Sequence, residues 1–161
     1  MDLKLALNSP DAIDEVSPSL HRIWYANRRI VAYELFDISQ TIANEWASLA
    51  IETIHAWPSG QPYLALHNIS QRGIAMKAGW LHASLTHPAI TDFGKKRLFL
   101  NPADEADFVG RIAVVVSLQN SGNFARVLVN QRSTRQLTDF LKHKFFSEKE
   151  AALHWLSNGL N

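Results

Sequence analysis

Phe145-Phe-Ser-Glu-Lys-Glu-Ala-Ala-Leu-His-Trp-Leu156 holds, in twelve residues, the end of a strand, the start of a helix and an apolar helical face. Ser147 and Glu150 have the spacing of a capping box, with Phe146 before the cap and Ala151 in staple register. Ala151, Ala152, Trp155 and Leu156 share one side of the helix that follows, and Gly159 ends it. Upstream, Arg111-Ile-Ala-Val-Val-Val-Ser117 is the clearest strand of the chain, with three consecutive valines. Residues 141–146 read as a last strand. A strand, a polar connection, a second strand and a closing amphipathic helix predict an α/β domain.

Working back toward the amino end, His21-Arg-Ile-Trp-Tyr-Ala26 and Ile30-Val-Ala-Tyr-Glu-Leu-Phe36 flank the polar triplet Asn27-Arg28-Arg29. This pattern predicts a β-hairpin, with Asn27 suited to a left-handed turn position. Asp37 and Gln40 have capping-box spacing. Ile42, Trp46, Leu49, Ala50, Thr53 and Trp57 recur at helical spacing up to the stop at Pro58-Ser-Gly60. Gln61-Pro-Tyr-Leu-Ala-Leu-His67 is an almost unbroken apolar strand, the mark of burial on both faces. A second helix is expected over 74–85, weakened by Gly79. Residues 86–110 read as part helix and part loop, with a short strand at 98–100. A third helix is expected over 122–132. The pattern predicts a mixed sheet of four to five strands that begins with a β-hairpin and carries packed helices. Residues 1–20, with Pro10 and Pro18, read as a flexible leader, and 21–158 as one domain.

The chain has 161 residues, 47% hydrophobic and 19% charged, which suits one globular domain with a core of its own. Its net charge of +1 gives no field for steering onto nucleic acid. Cysteine is absent, so disulfides, thiolate nucleophiles and Cys-based metal sites are excluded. No apolar run approaches the ~20 residues that cross a bilayer. A cytoplasmic protein without stable membrane insertion is expected, and a homodimer is compatible with this composition.

The hairpin with Ile30–Phe36, the buried strand Tyr63–His67 with its polar turn, the 110–116 strand and the terminal helix together resemble the SpoIIAA-like branch of the STAS fold, the anti-sigma-factor antagonists. The resemblance covers about residues 21–158 and implies a STAS-like, non-enzymatic module that binds a protein partner or an apolar small molecule. In phosphorylated members a serine lies in the turn after the buried strand. The matching residue here is Ser70, preceded by Asn68 where those members carry an acid.

Ser70 is thus the phospho-acceptor candidate, with Arg72 and Lys77 near enough in sequence to pair with a phosphate at a helix amino end. An ordinary helix cap is the plainer role for it. His67 ends a buried strand, where α/β sites gather, although a solvated strand end also explains it. His67, Asn68, Arg72, Lys77 and Trp80 form the candidate ligand or partner surface; Trp80 falls off its helix's apolar stripe. Among seven histidines none has a metal-ligand spacing, His82 and His87 being five apart. Asp104, Glu105 and Asp107 read as a solvated segment, and Lys95-Lys96-Arg97 as a solvated face. No Gly-x-Ser-x-Gly and no Gly-rich phosphate motif occurs, so neither a catalytic residue nor a cofactor is assigned. The rival to a binding module is a small hydrolase-like enzyme using His67 near Ser70.

Overall fold

The computed structural model describes residues 7–37, 39–71, 109–117, 135–136 and 141–160. Among these, nine elements follow in order: β1 (Ala12–Ser17), β2 (Leu20–Tyr25), β3 (Ile30–Leu35), α1 (Gln40–His55), β4 (Tyr63–Asn68), β5 (Gly110–Val115), β6 (Arg135–Gln136), β7 (Leu141–Phe146) and α2 (Lys149–Ser157). They build an α/β domain around one mixed sheet of order β1-β2-β3-β4-β5-β7-β6. The first three strands form an antiparallel meander. From β3 onward β4, β5 and β7 are added in parallel, and the two-residue β6 closes the far edge antiparallel to β7.

The sheet therefore has seven described strands rather than four to five. The largest correction lies in the segment expected as a leader. Residues 12–17 pair with β2, and Leu20 is fully buried. β1 reads poorly as a strand because it is an edge. Asp14 and Glu15 interrupt its apolar residues, and a register shift between Glu15 and Ser17 breaks its alternation. Charge and irregularity on an outer strand discourage pairing with another chain.

Alternation along the parallel strands sends apolar side chains to both faces. Tyr63 and Ala65, Ile112 and Val114, and Leu141 and Phe145 meet Ile42, Ala43, Trp46, Leu49 and Ala50 of α1 in one core. Leu64, Leu66, Ala113, Val115 and Phe146 meet Ala152, Leu153 and Leu156 of α2 in the other. The closing helix takes its expected place, with two differences. Ala151 is exposed, and the cap position is Glu148 with no side-chain capping bond. In α1 the cap is Ser39, whose hydroxyl accepts from the Ile42 amide at 3.4 Å, and not Asp37. A serine directly ahead of the first helical residue reaches the N3 amide; Asp37 lies two residues too early.

The hairpin turn is more unusual than its sequence. Ala26, Asn27 and Arg28 all have positive φ, at 54°, 57° and 60°. Left-handed backbone costs an L-residue roughly 1–2 kcal/mol each. Local bonds hold the turn: the Arg28 amide donates to the Asp11 carboxylate at 3.0 Å, and the Arg29 amide to the Tyr25 carbonyl at 3.1 Å. The Arg29 guanidinium also donates to the Leu160 carbonyl at 2.8 Å, tying the turn to the end of α2.

Several expectations fall outside the described residues. They are the helices at 74–85 and 122–132, the strand at 98–100, and the side chains of Arg72, Lys77, Trp80, His82, His87, Lys95, Lys96, Arg97, Asp104, Glu105 and Asp107.

Candidate functional site

Parallel strands align their two ends, so the sheet offers two places for a site. The carboxyl end holds the turn that follows β4. There the Asn68 side-chain oxygen accepts from the Ser70 amide at 3.1 Å and from the Ser70 hydroxyl at 2.5 Å. This is an Asx-turn, in which a side chain stands in for a backbone acceptor. Asn68 is buried and Ser70 half-buried. Nearby, the Lys149 ammonium pairs with the Glu34 carboxylate and lies over the Tyr25 ring. Burial would lower the Lys149 pKa, but the Glu34 hydrogen bond and charge outweigh it, and the net shift is upward.

His67 is not at a solvated strand end. It is fully buried, and alternation sends it to the sheet face opposite Asn68. Its Nδ1 accepts from the Trp46 indole N–H at 2.9 Å, which leaves the proton of the neutral ring on Nε2. Tyr33 stacks on the ring at 5.1 Å between centroids, and Trp46 tilts against it at 5.2 Å. Burial, with the charge of His143 acting in the same direction, pulls the His67 pKa down to about 3. At neutral pH this imidazole is uncharged and walled by aromatic rings. His67 and Ser70 are thus turned to different neighbours, and the described contacts do not bring them together as a base and a nucleophile.

Beneath α1 runs a polar seam that the sequence reading missed. The Asp14 carboxylate accepts from Trp24 Nε1 and from Arg22 Nε, both at 3.0 Å. The Trp24 bond, assisted by Arg22 and opposed by partial burial, holds Asp14 below the usual carboxylate range. Arg22 Nη1 donates to the Thr53 hydroxyl at 3.2 Å, and that hydroxyl donates to the Leu49 carbonyl at 2.7 Å. Tyr33 and Tyr63 share a hydrogen bond between their phenols at 3.3 Å. Burial pushes Tyr33 up to about 12 and Tyr63 well above its ordinary value, so both stay neutral. The partners lie 8 to 31 residues apart in the chain, beyond any motif spacing.

Among the described residues, the amino end of the parallel strands is open. A groove of about 580 Å³ lies between the end of α1, the loop 58–62, the start of β5 and the end of α2. Its walls include Trp57, Leu64, Val109, Arg111 and Lys142. Trp57 is fixed by three contacts: its indole N–H donates to the Pro62 carbonyl at 3.2 Å, its ring stacks on Trp24 at 6.2 Å, and its face meets Tyr63 edge-on at 5.0 Å. Gly60 supplies the left-handed backbone, φ 79°, that turns the loop. Gly110 lets β5 lie against β4: a Cβ there would sit 2.1 Å from the Tyr63 carbonyl oxygen. The sequence flagged 58–60 only as a helix stop. A tryptophan followed by two prolines within six residues was the signal that a shaped loop, rather than a plain turn, stands there.

Among the described residues no three His, Asp or Glu side chains gather as a metal site would require. No described helix is long and apolar enough to cross a membrane. Comparison with protein-family models, with curated proteins and with solved structures finds no match for this chain.

Proposed function

We propose that the chain is a non-enzymatic binding module that takes a small, largely apolar molecule in the groove at the amino end of its parallel strands. The observation that carries this reading is the groove itself. Its volume falls in the range of small-ligand sites, and its walls combine an indole and aliphatic side chains with a few polar groups, Gln61, Arg111 and Lys142 among them. The interior polar groups support the same view: His67, Tyr33 and Tyr63 are buried, kept neutral and engaged with one another's neighbours. Kinship with SpoIIAA-like domains and a cytoplasmic setting belong to this proposal. An antiparallel ribbon leading into parallel strands and a terminal helix across the sheet are what favour the kinship. The candidate surface around the turn after β4 is replaced in this reading by the groove that the described residues form.

Native mass spectrometry of the full chain purified from cells tests it. The wild-type protein is expected to carry a small organic adduct, and Val109→Trp, which adds bulk at a half-exposed wall position, is expected to lose it while keeping its circular dichroism spectrum. Wild-type protein bare of adduct in several preparations overturns the proposal.

A further inference from the structure

The groove has a charge pattern that an apolar ligand alone does not explain. Arg111 on β5 and Lys142 on β7 are direct partners in the parallel register and point to the same face. Like charges set opposite each other on neighbouring strands repel and destabilise the pair. Neither has a carboxylate partner among the described residues, where the ion pairs are Arg22–Asp14 and Lys149–Glu34. No acidic side chain is among the groove's described lining residues.

Arg111 is held in place. Its Nη1 donates to the Trp155 carbonyl at 2.8 Å, and its guanidinium carbon lies 5.4 Å from the Trp155 ring centre. A guanidinium has five N–H donors, so this one bond fixes the group without exhausting it. Lys142 is exposed beside it. One end of the groove is therefore cationic, and Trp57, Leu64 and Val109 give it apolar walls beside the uncharged polar Ser59, Gln61 and Asn158. A ligand with one oxyanion and an apolar body meets both parts, and its charge relieves the repulsion between the two cations.

Resting on the binding-module reading, we infer that the groove selects an organic monocarboxylate, with the carboxylate between Arg111 and Lys142 and the apolar body along the exposed Val109 wall. The test is isothermal titration of the full chain with decanoate and with 1-decanol, both below their aggregation limits. Decanoate is expected to bind about tenfold more tightly than decanol, the difference two partly exposed ion pairs supply. Lys142→Gln is expected to weaken decanoate about three- to fivefold and leave decanol unchanged, while Lys142→Arg keeps decanoate binding. If decanol binds as tightly as decanoate and K142Q alters neither, the carboxylate assignment is wrong and the apolar groove stands. If the wild-type chain binds neither, the binding-module reading fails and the inference with it.

Discussion

Replacing Gly110 by alanine lowers the thermal midpoint by about 10 °C, the shift expected when ~3 kcal/mol is lost from a chain of this size. The added Cβ would lie 2.1 Å from the Tyr63 carbonyl oxygen and 2.9 Å from its carbon. Both are backbone atoms of β4, at the point where Tyr63 stands beside Gly110 in the parallel ladder. Neither strand can shift alone, because the Tyr63 amide donates to the Val109 carbonyl at 2.9 Å and β5 is bonded to β7 on its other side. Gly159→Ala is the control. Its Cβ would meet the tip of the Leu64 side chain at 2.8 Å, and a terminal methyl can move aside. A smaller loss, of ~1 kcal/mol, is expected there. Differential scanning calorimetry of the three proteins decides it; a G110A midpoint within about 2 °C of wild type would contradict the close approach of the two strands.

Stability is expected to fall as the pH drops below about 6.5, with His67 as the main source. Its folded-state pKa is about 3, against 6.5 as its ordinary value. Between these two values the unfolded chain binds a proton that the folded chain refuses, so the free energy of unfolding rises with pH in this window. One such proton contributes about 1.4 kcal/mol per pH unit, giving ~2 kcal/mol between pH 5 and pH 6.5. Above the unfolded value the contribution is constant. Asp14, held low by Trp24 and Arg22, acts in the same direction but in a lower window, below its ordinary value of 3.8. Urea unfolding from pH 5 to pH 8 measures the effect. His67→Gln keeps an acceptor for the Trp46 N–H and cannot titrate, so it is expected to be less stable at pH 7 and to lose about one proton's worth of slope between pH 5 and 6.5. An unchanged slope in H67Q would remove His67 as the source.

The elements easiest to read were those whose periodicity reflects a buried face. β4, β5 and α1 advertised themselves by apolar runs or a helical stripe, because each is enclosed on at least one side. β1 did not, since its side chains alternate between half-buried and exposed and its pairing edge carries acids. The same logic bears on His67. A histidine ending an apolar run with both faces covered should be enclosed, and the structure shows it fully so. Its position at a strand's carboxyl end suggested a site, but burial decides whether solvent or substrate reaches a side chain. The groove escaped detection for a different reason. Trp57, Val109, Arg111, Lys142 and Gly159 come from four separate parts of the chain, and only the parallel register of β4, β5 and β7 brings them together. The polar seam from Asp14 to Thr53 is likewise a product of strand pairing, which no local spacing encodes.

The strand order has a consequence for how the protein is made. From β1 through β5 each strand lies beside the one that precedes it in the chain. Through β5 a nascent chain leaving the ribosome can thus extend the described sheet from one side only, each strand landing on the rim left open by the last, while the two-residue β6, made before β7, finds its place only once β7 has paired with β5. α2 then reaches back over β4 and β5, so a helix made after these strands is what closes this face of the layer they form.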